Sequence, residues 1–215
     1  MAIDVKICGI NSVAALEAAI ESGARNVGFI FFPPSPRFVF AEAAADLAKR
    51  VPSSSGVTRV GVFVDPSIEE IDSTLLHVPL DMIQLHGHES PEEVEAIRYT
   101  FRLPVMKAIG IAVAADFDQI AEYATVADRL LFDAKPPKGA TLPGGNAISF
   151  DWSLMADRHA PLPWTLSGGL SAQNLADAVH ASGATSVDVS SGVESSPGRK
   201  DPALIRAFLD VAKRL

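Results

Sequence analysis

The segment Leu130-Leu131-Phe132-Asp133-Ala134-Lys135 places a carboxylate directly after an apolar run. Such a run is typical of a buried parallel strand, and the residues that follow, 134–149, are rich in proline and glycine. In a parallel α/β protein, ligands bind at the rim formed by the strand ends, so Asp133 is a candidate site residue. An Asp that only caps the loop fits this segment about as well. A second strand end with a reactive side chain, Lys6-Ile7-Cys8-Gly9, favours a site.

Composition and charge exclude several classes of protein. The chain has 215 residues, 48% of them hydrophobic, which is typical of a globular protein with a substantial core. The net charge of −8 argues against a nucleic-acid or anionic-membrane surface but leaves room for a small anionic ligand. The single cysteine, Cys8, excludes an internal disulfide, and no apolar run approaches the ~20 residues of a membrane helix. Because no signal peptide is visible, we expect a cytoplasmic protein without nucleic-acid or membrane partners.

Runs that favour strands alternate with Ala/Leu/Glu-rich runs that favour helices along the whole chain. The predicted strands are Ile3–Cys8, Val27–Phe32, Val57–Val64, Asp81–Leu85, Pro104–Ile109, Asp128–Asp133, Trp164–Ser167 and Ser186–Ser190. The predicted helices are Val13–Ser22, Ala41–Val51, Ile68–Leu76, Pro91–Arg102, Ala114–Ala124, Phe150–Ala156, Ser171–Ser182 and a last one from Asp201 to Leu215.

This alternation predicts an α/β protein, a single (β/α)8 TIM barrel domain over residues 1–215 with eight parallel strands and outer helices. The alternative is a doubly wound open sheet. That fold usually carries a glycine-rich turn, G-x-G-x-x-G, after its first strand, whereas residues 8–11 here read Cys-Gly-Ile-Asn.

Two strand ends indicate a phosphate site. Gly168-Gly169 follows the seventh strand, and Ser190-Ser191-Gly192 follows the eighth. Glycine lets the backbone approach an anion and leaves N–H donors unobstructed, and barrels often bind phosphate between these loops at a short helix. We predict that helix within Val193–Gly198. One such turn could simply be a tight connection, but two on adjacent strands favour binding.

Cys8 and Asp133 are candidates for a proton-transfer pair. A thiol can act as a general base when nearby positive charge lowers its pKa, and Lys6 is placed to do so. A carboxyl group at an apolar strand end can stay protonated and act as an acid. Taken singly, a cysteine is more often a small buried hydrophobe and such an aspartate more often structural.

Two further strand ends carry candidate binding residues. Arg37 ends a rigid proline-rich loop, which suits a planar carboxylate, although a surface arginine is an equal alternative. His86, His88 and Glu89 follow the fourth strand and, with Asp65, form a weak candidate for a zinc or iron site. A hydrogen-bonded His86 at the rim of the substrate site is the better interpretation, and we expect neither metal nor cofactor.

Several ordered motifs are similar to those of the phosphoribosylanthranilate isomerase family, along essentially the whole chain. They are residues 6–10 (KICGI), 28–31 (GFIF), 35–37 (SPR), 60–64 (VGVFV), 84–87 (QLHG), Asp133 with Lys135, 150–152 (FDW), 166–170 (LSGGL), 187–194 (VDVSSGVE), 197–198 (PG) and 200–201 (KD).

The resemblance implies a (β/α)8 isomerase of tryptophan biosynthesis. Its reaction is an Amadori rearrangement, which converts N-(5-phosphoribosyl)anthranilate into 1-(2-carboxyphenylamino)-1-deoxyribulose 5-phosphate. By resemblance, Asp133 is the general acid that protonates the ribose ring oxygen, and Cys8 is the general base that removes the C2′ proton. Arg37 orients the anthranilate, and the turns at Gly168-Gly169 and Ser190-Ser191-Gly192 hold the phosphate.

One segment departs from the family pattern. Where the family has Gly-Gly-Thr/Ser-Gly, this chain has Gly144-Gly145-Asn146-Ala147, which affects a loop expected to close over the substrate. Two other functions compete with the isomerase: a metal-dependent sugar-phosphate epimerase using His86, His88 and Asp65, and an inactive barrel that only binds a phosphorylated metabolite or a protein. The Ala-rich helix surfaces slightly favour a monomer over a homodimer.

Overall fold

The chain folds as a closed barrel of eight parallel strands in a computed structural model that describes residues 3–136, 139, 142–145, 148–156 and 160–215. The strands are β1 Asp4–Cys8, β2 Asn26–Ile30, β3 Thr58–Phe63, β4 Met82–Leu85, β5 Val105–Ile111, β6 Arg129–Ala134, β7 Trp164–Leu166 and β8 Ser186–Val189. The order in the sheet is the order in the sequence, and β8 pairs with β1 to close it. The predicted fold class is therefore confirmed.

Helices cover the outside of the barrel. They are α1 Val13–Glu21, α2 Ala41–Ala48, α3 Ile68–Leu75, α4 Pro91–Phe101, α5 Ile120–Tyr123, α6 Leu175–Ser182 and α7 Pro202–Ala212. Short 3-10 helices span Ser53–Ser55, Ala114–Phe117, Trp152–Met155 and Ser191–Val193. Within the described ranges, no helix has the length and apolar character needed to cross a membrane.

Alternation along the strands divides the core into two layers. Side chains of one parity fill the barrel interior, where Cys8, Val62, Met106 and Leu131 belong to one apolar cluster. Side chains of the other parity, such as Phe132, pack between the sheet and the helices in a larger cluster. Because successive strand residues point to opposite faces, the parity of each strand decides which side chains can reach the mouth of the barrel.

The second half of the barrel is less regular than predicted. Residues 114–124 were expected to form one helix, but they form a 3-10 turn and the short α5. The Asp116 carboxylate accepts hydrogen bonds from the Ala112 and Val113 amides at 2.8 and 3.0 Å, and this local bonding competes with a continuous helix. After β6, the predicted helix Phe150–Ala156 is only the 3-10 turn Trp152–Met155.

The predicted phosphate-binding helix within Val193–Gly198 is wrong. The 3-10 turn Ser191–Val193 leads into a small antiparallel hairpin, β9 Glu194–Ser196 and β10 Arg199–Lys200. Gly198 turns the hairpin with φ +77°, a conformation that favours glycine. The hairpin carries Glu194 and Lys200 into the rim of the barrel, and both become part of the site described next.

Candidate active site

A cavity opens at the carboxyl ends of the barrel strands, with a volume of about 790 Å³ that includes space continuous with solvent. Its lining includes most of the residues that the sequence singled out: Cys8, Arg37, His86, Asp133, Gly168, Gly169, Ser190 and Ser191. A concave site at the carboxyl ends of barrel strands is where small molecules bind in this fold. The thiol and the carboxyl group of the predicted pair therefore line one space, although 125 positions separate them in the sequence.

Cys8, at the end of β1, is buried beside an ion pair. Lys6 Nζ lies 2.8 Å from Asp188 Oδ1 on β8, and Ser167 donates to the other carboxylate oxygen at 3.2 Å. Burial opposes the ammonium form of Lys6, but the charges of Asp188 and Cys8 and their hydrogen bonds together outweigh burial and raise the Lys6 pKa. Lys6 is therefore a permanent cation next to Cys8.

Lys6 lowers the Cys8 pKa, as predicted, but the net shift of that pKa is upward. Burial raises the pKa of the Cys8 thiol above its ordinary value. The Lys6 ammonium lowers that pKa and Asp188 raises it, so the cation only partly offsets burial. Cys8 is therefore mainly a thiol at neutral pH in the absence of a ligand.

Gly28 on β2 provides the space for this arrangement. A Cβ atom at this position would lie 3.1 Å from Cys8 Sγ and 3.2 Å from Lys6 Nζ. Both distances are tighter than ordinary van der Waals contact, so a side chain here would displace the thiol or the ammonium group. Glycine is thus required here because Cys8 and Lys6 lie so close to its Cα, and not because of its backbone angles.

Asp133, on β6, is 6% exposed and is held at both carboxylate oxygens. Its Oδ1 accepts from the Ala134 amide at 2.8 Å, and its Oδ2 lies 3.1 Å from His86 Nε2. His86 Nδ1 in turn lies 2.9 Å from the amide nitrogen of Gln84. His86 is therefore hydrogen-bonded at the rim of the cavity beside Asp133.

Arg37 is buried at 5% exposure and is not a surface arginine. It donates from Nε and Nη2 to the two carboxylate oxygens of Glu194, at 2.8 and 3.0 Å, and from Nη2 to the Gly145 carbonyl at 3.3 Å. Its Nη1 has no acceptor in the described part of the chain. A bidentate Glu194 fixes the plane of the guanidinium group and leaves one nitrogen for a ligand.

Glu194 also joins this clamp to the loop after β8. Lys200 Nζ donates to Glu194 Oε1 at 2.7 Å, to the Ser190 carbonyl at 2.8 Å and to the Ser190 hydroxyl at 3.1 Å. Burial opposes the ionised form of Glu194, but Arg37 and Lys200 outweigh it and lower the Glu194 pKa. Burial lowers the Lys200 pKa, and Glu194 opposes this effect.

Glu194 and Lys200 were assigned no role from the sequence, although both lie within motifs of the family resemblance. The signal was a pair of opposite charges flanking a Pro-Gly turn at residues 197–198. Such a turn brings two short strands together, so the two side chains meet. The contact of Glu194 with Arg37 joins residues 157 positions apart and forms only when the barrel closes.

The two predicted phosphate turns lie on one side of the cavity. Gly168 and Gly169 have φ of +93° and +64°. A Cβ on Gly168 would lie 2.7 Å from the Ala134 amide nitrogen. The amides of both glycines donate to no acceptor within the described residues, so both can donate to a ligand. Gly192 does not itself line the described cavity, but a Cβ there would collide with the Leu170 carbonyl oxygen.

The residues of the weak metal candidate do not assemble into a metal site. Glu89 is buried and bound to Lys107 at 2.6 Å and to the amides of Asp65 and Gly87. His88 is largely exposed and pairs with Asp65 at 3.3 Å, away from His86. Among the residues that the structure describes, no three His, Cys, Asp or Glu side chains converge to hold a metal ion.

The loop after β6 contributes Gly144 and Gly145 to the cavity wall. A Cβ on Gly144 would lie 2.6 Å from His86 Nε2 and 2.7 Å from Asp133 Oδ2, so glycine lets the loop cover this pair. The family departure at Asn146-Ala147 lies outside the described residues.

Comparison with known proteins gives a consistent result. Residues 5–211 match the family model described as PRAI, N-(5′phosphoribosyl)anthranilate (PRA) isomerase. The chain is 57% identical to the N-(5′-phosphoribosyl)anthranilate isomerase of Paramagnetospirillum magneticum, over 99% of this chain and 98% of that protein. It is also 57% identical to that of Rhodospirillum centenum, over the full length of both.

Solved structures extend the likeness to the fold. The phosphoribosyl anthranilate isomerase of Thermotoga maritima superposes with a TM-score of 0.88 at 37% identity, covering 99% of this chain and 100% of that one. A second crystal structure, of a phosphoribosyl anthranilate isomerase in complex with reduced 1-(o-carboxyphenylamino)-1-deoxyribulose 5-phosphate, superposes at 0.85 with 36% identity and the same coverage.

Proposed function

The chain belongs to the N-(5′-phosphoribosyl)anthranilate isomerase family of tryptophan biosynthesis, and from this we propose that its cavity performs the Amadori rearrangement with Asp133 as general acid and Cys8 as general base. The enzyme is an isomerase. One observation supports the residue assignment above all: the thiol and the carboxyl group line the same cavity, beside backbone amides that are free to bind phosphate. The fold brings these groups to one rim from β1, β6, β7 and β8.

The first step opens the ribose ring. Asp133 gives its proton to the ring oxygen as the bond from that oxygen to C1′ breaks, and the nitrogen lone pair forms the C1′=N bond of a Schiff base. A positioned acid contributes about 10²–10⁴-fold to such a step. Asp133 is 6% exposed, so its carboxyl group is largely shielded from bulk water.

The second step moves a proton from carbon. Cys8 as thiolate removes the C2′ proton, and the electron pair of that C–H bond forms the C1′=C2′ bond while the C1′=N pair returns to nitrogen. The resulting enol amine gains a proton at C1′ while its C2′ hydroxyl gives up its proton, so the C2′ carbonyl of the ketose forms. Because burial raises the Cys8 pKa, the thiolate is scarce but a strong base, and the Lys6 ammonium stabilises it locally.

The two ends of the substrate are held apart from the reacting atoms. The amides of Gly168 and Gly169, with the loop Ser190-Ser191-Gly192, bind the phosphate. Arg37 Nη1 donates to the anthranilate carboxylate, while Glu194 occupies the other side of the guanidinium group. His86 contacts the substrate from the Asp133 side of the cavity. Anchoring both ends places the ribose between Cys8 and Asp133.

The test is a turnover assay with single substitutions. We expect the purified protein to remove the fluorescence of the anthranilate substrate, and Cys8→Ala and Asp133→Asn each to lower kcat by at least about 10²–10⁴-fold. Asp72→Asn, on the exposed face of α3, is the matched control and should keep wild-type kcat. Wild-type activity in both site variants would defeat the assignment of acid and base.

Oligomeric state and location stay predictions. One Thermotoga maritima structure is described as mutually generated monomers of a dimeric phosphoribosylanthranilate isomerase, so that relative has a dimeric form. For this chain we keep the monomer as the expectation, which light scattering during size-exclusion chromatography measures. A mass near twice 22.7 kDa would contradict it. The cytoplasmic location rests on the sequence alone.

A further inference from the structure

One buried polar side chain next to the site has no part in the reaction as described. Gln84, on β4, is 0% exposed and shares the inward parity of Met82. Its amide nitrogen lies 2.9 Å from His86 Nδ1, whereas its Oε1 is buried with no hydrogen-bond partner in the described structure. Burying an amide with an unpaired oxygen costs free energy, so an apolar side chain would suit the barrel interior better. The contact with His86 is what distinguishes glutamine from an apolar residue here.

Two hydrogen bonds link Gln84 to Asp133 through His86, and both donate in the same direction, toward Asp133. Asp133 Oδ1 already accepts from the Ala134 amide, and Oδ2 faces His86 Nε2 at 3.1 Å. If Oδ2 accepts, Nε2 must carry the imidazole hydrogen. A neutral imidazole has only one N–H, so Nδ1 then has a free lone pair and requires a donor. The amide nitrogen of Gln84 is that donor, and its unpaired Oε1 is the cost of this orientation.

We propose that Gln84 is a positioning residue, which holds His86 in the Nε2–H tautomer so that His86 donates to Asp133 Oδ2 throughout the reaction. The proposal rests on the proposed function, in which Asp133 delivers a proton. With Oδ2 occupied as an acceptor, the proton to be transferred resides on Oδ1. Oδ1 faces the side of the cavity formed by Gly168, since a Cβ on Gly168 would lie 3.2 Å from it. The proton is therefore delivered to the substrate on that side.

The hydrogen bond from His86 to Asp133 acts on kcat and not on substrate binding. When Asp133 gives its proton to the ribose ring oxygen, the carboxyl group gains negative charge. A hydrogen bond to a charged acceptor is about twice as strong as one to a neutral acceptor, so the His86 donor stabilises the carboxylate that forms. Only an interaction that strengthens toward the transition state raises kcat. Gln84 itself is not among the described residues that line the cavity.

The first test reads the tautomer directly. Long-range ¹H–¹⁵N NMR spectra of the full chain, with its 5 histidines, assign the two ring nitrogens, and His86→Asn identifies the His86 signals. We expect only the Nε2–H form in the wild type and a mixture with Nδ1–H in Gln84→Met, which keeps the side-chain length without the amide. Gln84→Glu should convert His86 to a form protonated at Nδ1. A wild-type His86 protonated at Nδ1, or a spectrum unchanged in both variants, overturns the proposal.

The second test is a double-mutant cycle on kcat. Gln84→Met should lower kcat roughly fivefold, the effect of one ordinary hydrogen bond, with KM unchanged. In a His86→Asn background the same substitution should cost nothing further, because Gln84 acts through His86. Thr165→Val is the control: it removes a buried side-chain hydrogen bond of 3.0 Å to Ser186 and should leave kcat unchanged.

The outcomes separate this proposal from the proposed function. An equal loss from Gln84→Met in both backgrounds would mean that Gln84 supports the barrel generally, and the positioning role would be wrong. A wild-type protein without isomerase turnover would instead defeat the proposed function, whereas the NMR result would still decide whether Gln84 fixes the His86 tautomer.

Discussion

Glu194→Gln tests how far the site depends on one buried carboxylate. The wild-type side chain is 4% exposed and lies between Arg37, 5% exposed, and Lys200, 0% exposed. Glutamine keeps the volume but removes the charge, so two buried cations face each other without a counter-ion. Breaking a buried pair in this way costs about 3–5 kcal/mol.

The expected change in thermal stability follows from that free energy. In a chain of this size, 1 kcal/mol shifts the unfolding midpoint by about 2–4 °C, so Glu194→Gln should lower it by roughly 6–20 °C. Glu21→Gln is the matched control, because it removes the same charge from an exposed pair, 3.9 Å from Arg206. Exposed pairs contribute about 0–1 kcal/mol, so this variant should shift the midpoint by only a few degrees.

The measurements are thermal unfolding followed by circular dichroism at neutral pH and steady-state kinetics below the midpoint. We also expect Glu194→Gln to raise KM, since Arg37 loses its bidentate partner and Lys200 loses one of the groups that hold it against Ser190. The reasoning is refuted if Glu194→Gln unfolds within about 2 °C of Glu21→Gln and keeps the wild-type KM.

Three further predictions concern the proposed base and the proposed phosphate turn. Because burial raises the Cys8 pKa above its ordinary value of 9.0, the rate of iodoacetamide labelling should still be rising at pH 9, and a plateau at neutral pH would contradict this. Gly28→Ala should lower kcat about tenfold or more by displacing the Cys8 thiol with little loss of fold, as circular dichroism can check; an unchanged kcat would show that the thiol can shift freely. Gly168→Ala combines a φ of +93° with a Cβ 2.7 Å from the Ala134 nitrogen, so KM should rise severalfold and the inhibition constant for inorganic phosphate with it; a rise in KM alone would argue against a phosphate contact.

The regular parts of the fold were predictable because they depend on local pattern. The capping boxes at Ser67 and Ser90 are present as sequence spacing indicates, with Glu70 and Glu93 as the returning side chains. The residues that follow β5 were harder to predict, because the Asp116 carboxylate accepts hydrogen bonds from the Ala112 and Val113 amides and so competes with a continuous helix. Whether residues 1–215 constitute one domain remains a prediction.

The site was predictable where chemistry follows directly from a strand end. Cys8 and Asp133 could be found because parallel strands finish at a common rim. The partners of Arg37 could not, since Glu194 meets it only after the barrel closes. The pKa of Cys8 was misjudged for a related reason: the sequence shows the charge on Lys6, but the burial that outweighs it depends on the whole structure. Gln84 did leave a signal, as a polar residue at an inward position of the apolar strand Met82–Leu85.

The pairing of β1 with β8 has a consequence for how the protein is made. Lys6 and Asp188 are register partners across that seam, so the cation beside Cys8 receives its counter-ion from a strand synthesised 182 residues later. On the ribosome, a nascent chain that already contains every strand up to β7 still lacks both the seam and the loop after β8. Catalytic competence therefore arises late in translation and all at once, and a truncated product of an interrupted ribosome should carry no partial activity.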